Sequence, residues 1–164
     1  NMNLQEYINK YGNIKVEEKK LNEFLGIEKI WKPQICEKFW SVNALGDVAE
    51  SCWQTTSCTH EALWLMGNVF KTKEEAEFAA EKRKVEVELQ RYTDRHNKKI
   101  DWNNPCQNKY YFYYSYINKR IQITCDNVVQ CGQVHFTSRE IAEEAIQAIG
   151  ENRLKKYYFE CEEV

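Results

Sequence analysis

Apolar positions along the chain follow two spacings, one of period two that marks strands and one of period 3.6 that marks helices. Leu4, Tyr7, Ile8 and Tyr11 share a helical face, Gly12-Asn13 interrupts, and Leu21, Phe24 and Leu25 follow before Gly26. Residues 2–30 therefore read as an N-terminal segment of two short helices. After Trp31-Lys32-Pro33, the run Phe39-Trp40-Ser41-Val42 predicts a strand, Leu45-Gly46-Asp47 a turn, and Val48 to Trp53 the returning strand of a hairpin. A polar loop is expected over 54–61 and a third strand over Leu63–Phe70. Thr72 with Glu75 three residues on is a capping box, which opens a helix from about Lys73 to about Arg95. On that helix Ala76, Ala80 and Val87 cluster on one side, and Phe78, Val85, Leu89 and Tyr92 on the other. Two opposed apolar stripes predict packing on both sides. The bulkier stripe, Phe78, Val85, Leu89 and Tyr92, is a candidate interface with a second element or with a second copy in a homodimer.

The pattern then recurs. A polar connection with Asn103-Asn104-Pro105 leads into Tyr110 to Ile117, an almost continuous aromatic strand; Asn118-Lys119 makes a turn and Arg120 to Cys125 returns. Gly132 to Phe136 reads as a third strand, and Thr137 with Glu140 as a second capping box before a helix carrying Ile141, Ala142, Ala145, Ile146 and Ile149 on one face. Gly67, Val69, Thr72 and Glu75 each stand 65 residues before Gly132, Val134, Thr137 and Glu140. A motif repeated in the same element order predicts an α+β fold of duplicated β-β-β-α units, their antiparallel sheets covered by helices. The units span 31–97 and 98–164, expected to form one compact body.

The segment from Gly67 through Lys71-Thr72-Lys73-Glu74-Glu75-Ala76 to Ala79 resembles a family of small, generally uncharacterised proteins of phages and prophages of Gram-positive bacteria. Trp31-Lys32-Pro33, Asp101-Trp102-Asn103-Asn104, Ile141 to Ala145 and Arg153 to Phe159 carry the same likeness, which covers most of the chain. It implies a setting, an accessory protein made in infected bacteria, where antagonists of host defence are common. It supplies no catalytic residue.

Composition narrows the field. Six Gly and two Pro in 164 residues leave little chain for linkers, which excludes disordered and collagen-like architectures. Lys+Arg 23 against Asp+Glu 25, a net charge of -2, argues against a general polyanion binder. Seven cysteines with no leader ahead of them, and no long apolar run, predict a protein of the reducing cytoplasm without a membrane span. Asn1, ahead of Met2, reads as an added residue.

Recognisable chemistry is sparse. P-loop, dinucleotide, nucleophile-elbow and metalloprotease motifs are absent, and His60, His96 and His135 have no Ser or Cys partner at a telling spacing. Cys52, Cys58 and His60 echo Cys125, Cys131 and His135, but five residues between cysteines match no common zinc knuckle, so neither metal nor cofactor is expected. The recognition candidate is the aromatic strand. Alternation sends Tyr110, Phe112, Tyr114 and Tyr116 to one side and Tyr111, Tyr113 and Ile117 to the other, with Lys119 and Arg120 at the turn. Both faces are aromatic and one alone can cover the core. The other suits a protein hot spot or a stacked base.

The functional expectation is a non-enzymatic phage accessory protein of the infected cell's cytoplasm. It would counter host defence by stoichiometric binding of a defence protein or a signalling nucleotide. The alternatives are a nucleic-acid-binding regulator and a small nucleotide-processing enzyme.

Overall fold

The computed structural model describes residues 30–128 and 132–161. The chain divides into two units, 1–34 and 35–164, and the account below concerns the second. The helices expected within 2–30 lie outside the described residues, apart from Ile30.

The fold is α+β, with two separate antiparallel hairpins. Strands β1 (Lys38–Val42) and β2 (Val48–Cys52) form the first, β3 (Lys109–Ser115) and β4 (Arg120–Asp126) the second. The β1–β2 turn is tied by Asn43, whose Oδ1 accepts from the N–H groups of Leu45 (2.8 Å) and Asp47 (3.0 Å), while Gly46 supplies the φ of +87° that closes it. Two-stranded ribbons are marginal alone and need a helix to cover them. For the first hairpin that helix is α2 (Lys73–His96), which contacts β1 and β2, and also α3 (Arg139–Ile149) and the π-helical turn Leu154–Tyr158; for the second it is α3, which contacts β3 and β4. Packing on two sides is thus met inside one chain, through Ala76 and Ala80 on one side and Val85 and Leu89 on the other, whereas Val87, expected on the alanine stripe, is exposed. The Thr72–Glu75 capping box is formed, Glu75 N–H donating to Thr72 Oγ1 at 3.2 Å and Thr72 N–H to Glu75 Oε2 at 3.3 Å.

The larger core joins Val85 and Leu89 of α2 to Phe112, Phe136, Ala142, Ala145, Ile149 and Leu154. In the first half, Phe39 and Trp53 are buried in an aromatic group with His60. Alanines mark the close approaches: Ala76, Ala142 and Ala145 are completely buried.

Several expectations are corrected. Leu63–Phe70 is not a strand: Ser57 caps a helix, α1 (Cys58–Leu65), by accepting from His60 N–H, and that helix also replaces part of the polar loop set at 54–61. Each sheet has two strands, not three. In place of the third, single residues make reciprocal bridges, Trp40 with Phe70 (2.9 and 2.8 Å) and Tyr110 with Phe136 (2.9 and 2.7 Å). The second cap is Ser138, which accepts from Ile141 N–H at 3.3 Å, so the Thr137–Glu140 box does not form. Thr137 is taken elsewhere: its Oγ1 accepts from Lys98 N–H at 3.1 Å, and its own N–H donates to Asn97 Oδ1 at 3.0 Å. The bridged Phe70 and Phe136 and the caps Thr72 and Ser138 each stand 66 residues apart rather than 65, while their bridge partners Trp40 and Tyr110 stand 70 apart.

Candidate functional site

The β3–β4 register settles how the aromatic strand is divided. Tyr110, Phe112 and Tyr114 pair with Cys125, Ile123 and Ile121, and this face is turned to the core. Phe112 is buried and lies 5.2 Å from Phe136 and 5.8 Å from Tyr158, ring centre to ring centre. Tyr114 is half-buried between Tyr116 (5.2 Å) and Phe159 (6.2 Å). The opposite face carries Lys109, Tyr111 and Tyr113.

That outer face is graded from covered to bare. At one end Lys109 is 1% exposed; its Nζ donates to the carbonyls of Asn104 (3.1 Å) and Gln107 (3.0 Å) and lies 5.8 Å from the Trp102 ring. A buried ammonium needs acceptors, and carbonyls of the 97–108 connection with an aromatic face supply them. Tyr111 comes next, half-buried, 5.9 Å from His135. Tyr113 is 39% exposed, its hydroxyl donating to Gln122 Oε1 at 2.7 Å across the hairpin. Beyond the strand end, Tyr116 and Ile117 are 76% and 94% exposed, with Lys119 and Arg120 beside them, also exposed. Lys119 turns the chain with a positive φ of 50°. Besides the Tyr114 ring, Tyr116 meets the Cys161 thiol, 4.0 Å from its hydroxyl, which holds its phenol above the usual value.

The candidate interface on α2 is divided differently. Val85 and Leu89 are completely buried in the chain's own core, so they present nothing to a second copy. Phe78 is half-buried on Tyr157 (5.3 Å), and Tyr92 is half-buried, stacked on His96 (4.0 Å).

A second feature has no sequence motif behind it. A groove of about 420 Å³ lies along the C-terminal end of α2 and the following segment, lined by Asp94, Asn97, Lys98, Lys99, Trp102 and residues 133–135. Asn97 frames it, its Nδ2 donating to the His135 carbonyl at 2.8 Å. His135 is buried, edge-on to Trp102 at 5.2 Å, with Nδ1 3.1 Å from the Gln133 carbonyl. Burial, with the charge of Lys109, pushes the imidazole below its ordinary value, so the ring is neutral, Nδ1 donates and Nε2 is left as an acceptor. His135 Nε2 and Gln133 Oε1 are the two buried side-chain atoms without a hydrogen-bond partner among the described residues. Each such orphan costs about 1–3 kcal/mol. His135 entered the sequence reading only through the rejected zinc pattern. Lys109 and Gln133 carried no signal, since nothing local marks a buried lysine or an orphaned amide.

The described residues hold no group of three or more His, Cys, Asp or Glu able to bind a metal ion. His60 Nδ1 accepts from Gln54 N–H (3.1 Å), which ties that ring to the backbone. No helix among the described residues is long and apolar enough to cross a membrane. The chain matches no protein-family model, no curated protein and no solved structure.

Proposed function

We propose that this is a non-enzymatic binding protein that seizes a partner protein in fixed stoichiometry through the tip and outer face of the β3–β4 hairpin. One observation carries the reading: Tyr116 and Ile117 stand 76% and 94% exposed at the tip, next to Lys119 and Arg120 and three and four residues on from the open Tyr113. Aromatic, aliphatic and arginine side chains gathered in one place have the composition of a binding hot spot. The inner face is occupied by core packing, so the outer set is the part of the aromatic strand free for a partner. Lys109, covered by the 97–108 connection, and Tyr111, half-buried beside His135, belong to the scaffold that holds the hairpin rigid.

The setting we infer is the cytoplasm of a bacterium infected by a phage, with a host defence protein as the partner. It rests on the resemblance of the Gly67–Ala79, Asp101–Asn104 and Arg153–Phe159 segments to small phage proteins. A nucleic-acid regulator is less well supported, because a near-balanced charge supplies no basic stripe for phosphates. We also infer that the halves descend from one duplicated unit. Each places a hairpin, one bridged residue and a helix capped by a hydroxyl residue in the same order, with buried Ala76 and Ala142 four residues after the caps Thr72 and Ser138. Exchange of Ile117 for Asp replaces the tip's most exposed apolar side chain with a charge without touching the core. Loss of the captured partner with unchanged folding supports the reading.

A further inference from the structure

We propose that the groove between the end of α2, the segment from Asn97 to Trp102 and residues 133–135 is a binding site for a guanine nucleotide. The floor sets the chemistry. His135 Nε2 and Gln133 Oε1 are both acceptors, both buried and both unpartnered. A ligand that satisfies both brings two N–H donors. Guanine carries two side by side, its ring N–H and its amino group, whereas adenine has an amino group beside a ring acceptor.

The walls and rim fit the rest of a nucleotide. Trp102 is 47% exposed and offers an indole for stacking. It stands against His135 with the ring planes perpendicular, so the base reaches the two acceptors by displacing the indole, on a connection without regular structure. Lys98 and Lys99, both exposed, line the groove and suit a phosphate; Lys109 adds positive charge close to His135. One carboxylate, Asp94, lines the groove, and its Oδ1 already accepts from Gln90 Nε2 at 2.9 Å. Cationic rim, aromatic wall and paired acceptors together describe an anionic ligand with a donor-bearing planar base. About 420 Å³ is within the usual range of small-ligand sites. These residues are distinct from the hairpin tip, so this site and the partner surface can fail independently.

Calorimetric titration of the full chain with GMP, AMP and inorganic phosphate tests the assignment, with Gln133→Met as the comparison. Expected are saturable binding of one GMP per chain, weaker binding of AMP, and no saturable binding of phosphate alone. Gln133→Met should weaken GMP by at least about tenfold while its thermal midpoint does not fall, since the substitution removes an orphaned acceptor from the folded chain. No saturable binding of GMP at millimolar concentration, AMP binding as tightly as GMP, or unchanged GMP affinity in Gln133→Met would overturn the proposal. Should that variant fail to fold, the exposed double change Lys98→Ala, Lys99→Ala replaces it. There, unchanged GMP affinity overturns the proposal and a loss of about tenfold supports it. Partner capture by the hairpin tip is unaffected in either variant, which separates a failure here from a failure of the tip.

Discussion

Phe112 and Tyr113 are neighbours in β3 with opposite surroundings: Phe112 is 3% exposed and lies 5.2 Å from Phe136, whereas Tyr113 is 39% exposed and its hydroxyl donates to Gln122 at 2.7 Å. Truncation should separate them. Phe112→Ala removes a ring from a packed core and is expected to cost about 3–5 kcal/mol. Tyr113→Ala loses a solvent-facing pair and should cost under about 1 kcal/mol. Urea denaturation of the two variants measures both; equal losses would mean that the outer face is buried too.

Asn68 acts as a piece of strand for the first hairpin. It is buried, its Oδ1 accepting from Val42 N–H at 3.0 Å and its Nδ2 donating to the Val42 carbonyl at 2.8 Å. Asn68→Ala orphans both backbone groups, for an expected loss of about 2–3 kcal/mol. Asn68→Asp keeps the acceptor but turns the donor into a charge facing a carbonyl, and should be at least as destabilising. A midpoint for either variant within error of the unsubstituted chain in thermal denaturation would show that Val42 finds other partners.

On α2, charge substitution separates core from surface. Val85→Glu and Leu89→Glu place a carboxylate where side chains are completely buried, and should abolish folding. Phe78→Glu, at a half-buried position against Tyr157, should leave a folded chain of lower stability. Circular dichroism reads folding, and sedimentation of Phe78→Glu reads whether that face holds two copies together.

Acid should weaken the fold through His135. Burial keeps its imidazole below the ordinary value, so the unfolded chain takes up the proton first as pH falls. Above about pH 6.5 both states are neutral at this site and it contributes no pH dependence. Below that, stability drops until the folded state is protonated as well. Lys109, Trp102, Tyr111 and Gln133 surround the ring and none offers a carboxylate to receive an imidazolium. Denaturation midpoints should therefore hold from pH 8 to about pH 7 and fall from there to about pH 5, and the fall should shrink in His135→Gln. The same slope in both would remove His135 as the cause.

The elements that local chemistry encodes were legible in the sequence. Thr72 and Glu75 lock the start of α2 by their own hydrogen bonds, and the strands of both hairpins follow from alternation and from turns at Gly46 and Asn118-Lys119. Helix α1 was not legible, because it buries no residue fully and so has no 3.6-residue stripe; Leu63, Trp64 and Leu65 read as a strand for that reason. The second cap was misplaced by one residue, since Thr137 and Ser138 are equally good caps locally and the bonds from Asn97 and Lys98, some 40 positions away, make the choice. Alternation divided the strand correctly as far as Tyr114, but Tyr116, set with the core-facing residues, lies beyond the strand end and is exposed, and which outer residues stay open depends on Trp102 and the 97–108 connection folding over Lys109.

The central claim is a partner surface at the β3–β4 tip, and its most direct measurement is quantitative capture from a bacterial host lysate by the unsubstituted chain and by Ile117→Asp. Both should share one thermal midpoint, because Ile117 is 94% exposed. The prediction is one host protein retained in fixed ratio by the unsubstituted chain and lost from Ile117→Asp. Equal retention by both chains, or no protein held in fixed ratio by either, would contradict it.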